Sequence, residues 1–217
     1  MEHVGLVFVG VILFVNGLSS LGVISAKSTV PLNFFVGILQ MVLPTIVMLQ
    51  SSGDPQAVAG AWPSYLFGMT YLWVGYNAAS GGDEAGFGWY SLFVAAIALY
   101  EVAAVFPSDP VLSVIWLSWA LAWFLFFLQL SLYRTTFGAV DLRRFTGWYL
   151  ALIAFPSSTI PALLLMNGLW TPSARTALAS IATLVAVVVA SVLLSREHHP
   201  RLGTQPPLLK RPLEPGV

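Results

Sequence analysis

Long apolar stretches alternate with brief polar interruptions along the whole chain. A membrane-spanning helix needs about 20 consecutive, mostly apolar residues. By that measure the pattern predicts seven segments. The first covers residues 4–24 and is bounded by Lys27. The second, 32–51, ends in the run Ser51, Ser52, Gly53, Asp54 and Pro55. The third, 62–80, ends at Ser80, Gly81, Gly82, Asp83 and Glu84. The fourth, 87–106, is closed by Pro107, Ser108, Asp109 and Pro110. The fifth, 111–133, stops at Arg134. The sixth covers 146–169, and the seventh, 176–195, lies between Arg175 and Arg196. Beyond that point the pattern fails. Pro200, Pro206, Pro207, Pro212 and Pro215 stand among scattered charges with no apolar period, so residues 196–217 read as a disordered, solvated tail.

Composition agrees with the pattern. Hydrophobic types make up 58% of the 217 residues and charged types 8%, against about 25% charge in a soluble domain. A mean hydropathy of +0.84 requires lipid as the solvent for most of the chain. Net charge is zero, which gives no basic field for nucleic acid. There is no cysteine, which excludes disulfides and thiol chemistry. The three histidines, His3, His198 and His199, lie outside the apolar stretches, so the membrane interior offers almost no metal ligands. No cofactor or metal is called for, and no convincing nucleophile and base point to an enzyme. The first stretch lacks the basic flank and small-residue cleavage site of a signal peptide and reads as a retained helix.

The basic residues set an orientation. With the N-terminus outside, Lys27, Arg134, Arg143, Arg144, Arg196, Arg201, Lys210 and Arg211 fall on the cytoplasmic side, and only Arg175 falls outside. An even number of spans would put the tail's basic residues on the outer face. The fold class expected is therefore an all-α membrane protein. A weak repeat adds detail: segments two, four and six each open with aromatic residues after a short loop, at Asn33-Phe34-Phe35, Trp89-Tyr90 and Phe145-Thr146-Gly147-Trp148-Tyr149. This suggests a six-helix bundle of three repeated hairpins plus a seventh, C-terminal transmembrane helix.

Candidate functional residues follow from helical spacing. Trp116, Trp119 and Trp123 recur at three and four residues and share one face of segment five. On segment three, Met69, Trp73 and Tyr76 share a face. Each stripe reads either as bulky packing or as the aromatic wall of a flat slot. Asn16, Asn33 and Asn77 read as amides that pair across helices or face a polar solute, since an unpaired amide in hydrocarbon is costly. Glu101 lies near the end of segment four, either snorkelling to the interface or acting as a proton relay. Pro44, Pro156 and Pro161 read as structural, with Ser157, Ser158 and Thr159 close by to satisfy freed carbonyls. Segment seven lacks aromatics and carries a small-residue stripe at Ala182, Ala186 and Ala190, which predicts a peripheral helix packed through that stripe. A core with few ionisable groups fits a path for a small neutral solute better than an ion filter.

These residues stand in segments that resemble the AmiS/UreI family of urea and amide channels: VGVILFVNG at 9–17, KSTVPLNFFVG at 27–37, FGMTYLWVGYN at 67–77, GWYSLFVA at 88–95, VIWLSWALAWF at 114–124, FTGWYLAL at 145–152 and IPALLL at 160–165. The resemblance spans about residues 4–170. It implies a six-transmembrane channel core over 1–170; the extra helix over 171–195 and the cytoplasmic tail over 196–217 lie beyond that core. It implies a homo-hexameric ring in the bacterial inner membrane, with a pore in each protomer that passes urea or short-chain amides, often beside a urease or amidase that consumes them. Carried over residue by residue, the aromatic slot falls on Trp116, Trp119 and Trp123. The helix-three constriction falls on Met69 and Trp73, where the urea channel of gastric bacteria has Phe and Tyr. The helix-one lining falls on Leu6, Val9 and Leu13, near Asn16, with Asn77 a further polar position. Acid-gated members carry a His-rich loop after helix two and a glutamate in helix six. Here the loop from Ser51 to Ala61 has neither His nor Glu, and Ile153 stands at the second position, so acid gating is not expected. The leading reading is a passive channel for small neutral amides. The alternatives are a proton-coupled transporter using Glu101 and a non-transporting accessory membrane protein.

Overall fold

The computed structural model describes residues 2–196; the rest of the tail, with His198 and His199, lies outside the described residues. Helices α1 (Glu2–Ser20), α2 (Ala26–Gln50) and the short α3 (Pro55–Ala61) precede α4 (Ser64–Ser80), α5 (Ala85–Val105) and α6 (Pro110–Leu130). Two two-residue strands, β1 (Thr136–Phe137) and β2 (Val140–Asp141), form a small hairpin. Then come α7 (Leu142–Ala154), a π-helical turn (Phe155–Thr159), α8 (Ile160–Met166) and α9 (Ala174–Ser195). Among the described residues, six helical stretches are long and apolar enough to cross a membrane, with α7, the π turn and α8 counting as one. The 17-residue α4 supplies the remaining expected segment. The expected six-helix bundle plus a seventh helix is observed.

The polar interruptions act as caps. Ser25 accepts from the Ser28 amide at the start of α2, Asp109 from the Val111 and Leu112 amides at α6, and Asp141 from the Arg144 amide at α7. Each satisfies backbone donors that a helix start leaves unpaired. Gly81, at φ 67°, ends α4 in the left-handed conformation that glycine adopts without steric cost.

Helix pairing differs from the connectivity suggested by the repeat. The most extensive packing is between α5 and α6, α2 and α4, and α7 and α1, not within the hairpins α1–α2, α4–α5 and α6–α7. Glycines explain this. A Cβ on Gly17 would lie 2.7 Å from the Ala151 nitrogen and 2.8 Å from the Gly147 oxygen, so α1 and α7 meet backbone to backbone. Gly68 of α4 stands against the Gly37 carbonyl of α2, and Gly88 of α5 against the Ser131 amide that follows α6. In lipid, where apolar side chains gain little by leaving hydrocarbon, such close approaches are what holds helices together.

α9 packs on α7 and α6 from outside. Its buried positions are Ala177, Val187, Ser191 and Ser195. The stripe expected to dock it faces away, with Ala182 and Ala186 exposed. Small residues still line the docking face, but toward its C-terminal end they are Ser191 and Ser195, whose hydroxyls donate to their own helix at Val187 and Ser191. The C-terminal end of α9 returns to the β hairpin through a bridge between Val140 and Arg196, and the Arg143 side chain donates to the Ser20 carbonyl at the end of α1. This end, rich in arginine, is the basic end of the bundle. At the far end, Trp170 donates its indole N–H to Asp109 at 2.6 Å.

Candidate functional site

Three cavities adjoin along the bundle. The far-end cavity, about 290 Å³, is bordered by Leu6 and Val9 of α1, Gln40 of α2, Glu101 of α5, and Trp116 and Trp119 of α6. The middle one is narrow, about 30 Å³, room for about two waters. Its walls are Leu13 and Asn16 of α1, Phe67, Thr70, Tyr71 and Val74 of α4, Trp119, Ala122, Trp123 and Phe126 of α6, and Leu150 of α7. The basic-end cavity, about 430 Å³, is bordered by Asn16, Thr29, Asn77, Glu84, Gln129 and Arg143 among others. Phe67 and Trp119 belong to both the far-end and middle cavities. Asn16, Val74 and Phe126 belong to both the middle and basic-end ones.

The aromatic residues interlock edge to face or at a tilt; they do not form two parallel plates. Phe67 lies 4.9 Å from Trp119 at 81°, 4.9 Å from Trp123 at 56° and 6.1 Å from Trp116 at 48°. Trp116 and Trp119 are 5.0 Å apart at 86°. Such edge-on geometry suits the ring quadrupoles, and it closes the middle of the bundle down to the small cavity. Both central indoles are anchored. Trp119 Nε1 donates to Ser157 Oγ at 3.2 Å, and Trp123 Nε1 to Thr70 Oγ1 at 3.1 Å. Ser157 is presented by the π turn at Pro156, where the helix gains a residue per turn and re-aims its side chains. Pro156 and Ser157, which read as structural, thus also serve to fix a tryptophan.

Leu6, Val9 and Trp116 border the far-end cavity, Leu13, Trp119 and Trp123 the middle one, Asn16 the middle and basic-end ones, and Asn77 the basic-end cavity. Met69 and Trp73 border none of the three. Met69 is 45% exposed on the outer face of the bundle. Trp73 turns sideways onto α5, 5.6 Å from Tyr90 and 5.9 Å from Phe87. The cavity face of α4 is instead the one carrying Phe67 and Tyr71. These too stand four residues apart on one face of the helix. The signal was present in FGMTYLWVGYN, but helical spacing alone offers both faces.

Asn16 and Asn33 pair reciprocally across α1 and α2, at 3.0 and 2.9 Å, and Asn33 also donates to Thr29. Asn33→Leu is expected to lower thermal stability, because it strips a buried partner from Asn16; membrane pairs of this kind contribute about 0.6–2 kcal/mol. The Asn16→Leu/Asn33→Leu double variant should recover part of that loss, since removing both partners leaves less unsatisfied. Melting of both proteins in detergent checks this, and additive losses would show that the pair does not act as a unit. At the basic-end mouth, burial pushes the Glu84 carboxyl above its ordinary range, while Arg143 draws it down and Asp83 adds to the rise.

Residues 1–169 match the profile of the family described as AmiS/UreI family transporter. The chain is 48% identical over 170 residues to a putative transporter protein AmiS2 of Rhodococcus erythropolis, covering 77% of this chain and 80% of that one. It is 40% identical over 210 residues to a putative amidate substrates transporter protein of Mycolicibacterium smegmatis, covering 95% and 96%. The crystal structure of the urea channel from the human gastric pathogen Helicobacter pylori superposes with a TM-score of 0.69 at 30% identity, covering 79% of this chain and 100% of that one. The family match ends before α9 begins.

Proposed function

The chain belongs to the AmiS/UreI family of transporters, and from that premise we propose that it is a passive channel for small neutral amides, urea and acetamide among them. The observation that carries this reading is the narrow middle cavity, walled by Phe67, Trp119 and Trp123 and opening toward a larger cavity at each end. None of its lining side chains is charged. A planar amide sheds part of its water in the wider far-end cavity and passes between aromatic edges and faces. A hydrated ion finds nothing to replace its shell and is excluded. The indole N–H groups are already paired with Ser157 and Thr70, so their role is to hold the rings in place. Trp116, Leu6, Val9 and Leu13 complete the apolar lining on this reading, and Asn16 and Asn77 supply the polar positions.

Residues 1–170 form the channel core, and α9 is an accessory helix that packs outside it. The basic end faces the cytoplasm of a bacterial inner membrane, which puts the N-terminus outside. The assembled form is a homo-hexameric ring with one pore per protomer, working beside a urease or amidase that consumes the solute. The apolar outer faces of α2 and α5, with Phe35, Ile38, Phe93 and Tyr100 exposed, are available to lipid or a neighbouring protomer.

Passive flow separates this reading from the coupled alternative. Glu101 borders the far-end cavity but not the narrow one. In proteoliposomes with an imposed proton gradient, labelled acetamide is expected to equilibrate and never accumulate. Accumulation that disappears in Glu101→Gln would establish proton coupling instead.

A further inference from the structure

Most polar groups that border the three cavities are already engaged. Both central indoles donate to hydroxyls. Asn16 is tied to Asn33. Gln129 Nε2 donates to the Leu125 carbonyl and to Thr146 Oγ1. Asn77 differs. It sits in the last turns of α4, is 5% exposed, and borders the basic-end cavity. Its Nδ2 is the one fully buried side-chain nitrogen or oxygen without a hydrogen-bond partner among the described residues. A buried amide donor left unpaired has given up its hydration for nothing in return. A turn of the side chain would bring Nδ2 to the adjoining cavity, where an arriving acceptor restores the bond.

We propose that Asn77 is a binding station for primary amides and urea, at the point where the solute leaves the aromatic section. The inference rests on the channel reading and goes beyond it by fixing the chemistry of recognition. A carboxamide side chain is both donor and acceptor. A primary amide or urea presents a carbonyl oxygen and, on the same edge, an N–H. The two edges pair through two hydrogen bonds, N–H to oxygen in each direction. An alcohol lacks that edge. A trans secondary amide turns its N–H to the opposite side from its carbonyl, so it makes one bond at most. The station therefore selects by the shape of the amide edge, whereas the aromatic section selects by width.

Propionamide and N-methylacetamide are isomers of nearly equal size, and only the first presents that edge. Stopped-flow light scattering on proteoliposomes, corrected for empty vesicles, should show propionamide entering faster than N-methylacetamide through the wild-type protein. In Asn77→Leu, which keeps the branched heavy-atom skeleton but removes both hydrogen-bonding atoms, the ratio should fall about tenfold, worth about 1.4 kcal/mol. Asn77→Ser, a smaller change, should show the same direction if the leucine variant does not fold. Wild-type flux of both solutes with a ratio unchanged in both variants would overturn the station and leave the channel intact. No amide flux through folded wild-type protein would overturn the channel reading itself.

Discussion

Gly17→Leu is expected to yield no folded protein, and Gly17→Ala a protein with a markedly lower melting temperature. The reason is geometric. The atoms that a Cβ would meet, the Ala151 nitrogen at 2.7 Å and the Gly147 oxygen at 2.8 Å, are backbone atoms and cannot rotate away. α1 and α7 would have to separate, and with them the ring of helices that α7 and α1 close. Forcing extra carbon into a packed contact costs about 1–3 kcal/mol, more when the neighbour cannot yield. Gly60→Ala is the control, because a Cβ at that position in the short α3 would meet nothing within 4 Å. Melting in detergent, followed by size exclusion, reads both. A Gly17→Ala protein as stable as Gly60→Ala would show that the helices are not held by this contact.

The second large effect is expected at Phe67. Its ring touches all three tryptophans and forms part of the boundary between the far-end and middle cavities. Phe67→Ala should join the two and widen the section narrow enough to sort solutes by size. Urea entry should persist while glycerol entry rises, reducing discrimination between them by about tenfold, the scale on which a pocket senses one or two missing carbons. The variant also loses buried packing, which costs about 3–5 kcal/mol in a protein core. Phe67→Leu is therefore the companion, with a smaller shift in the same direction. Stopped-flow ratios of urea to glycerol decide the matter. A ratio unchanged in both would place the sorting step elsewhere.

How far the sequence could be read depends on what the surrounding solvent distinguishes. The spans were legible because charges cannot lie deep in lipid, so Lys27, the Asp83-Glu84 pair, Asp109, Arg134 and Arg175 all mark ends. The tryptophan stripe of α6 was legible because a three-and-four spacing puts Trp116, Trp119 and Trp123 on one face whatever surrounds them. The face of α4 was not. Met69, Trp73 and Tyr76 follow the same spacing as Phe67, Thr70, Tyr71 and Val74, and lipid and protein core are both apolar. No amphipathic contrast tells the inward set from the outward one, as it would in water. The docking face of α9 failed for the same reason, since Ala182 and Ala186 are as suited to a helix interface as Ser191 and Ser195. Helix pairing was hidden in the helix glycines Gly17, Gly37, Gly68, Gly88 and Gly147. Each is visible in the sequence, but which meets which is a matter of three-dimensional arrangement. The engagement of Trp119 by Ser157 depends on a π turn that no periodicity announces.

The central claim is that neutral amides cross through these cavities. The absence of native cysteine makes one test especially clean. Ala78 borders the basic-end cavity, whereas Leu193 is 56% exposed on the outer face of α9. Urea and acetamide entry is measured by stopped-flow light scattering for Ala78→Cys and Leu193→Cys proteoliposomes, before and after a bulky thiol reagent. The account predicts entry much faster than in empty vesicles for both proteins, blocked by the reagent in Ala78→Cys and untouched in Leu193→Cys. Entry no faster than in empty vesicles, or entry that survives full modification of Ala78→Cys, would contradict it.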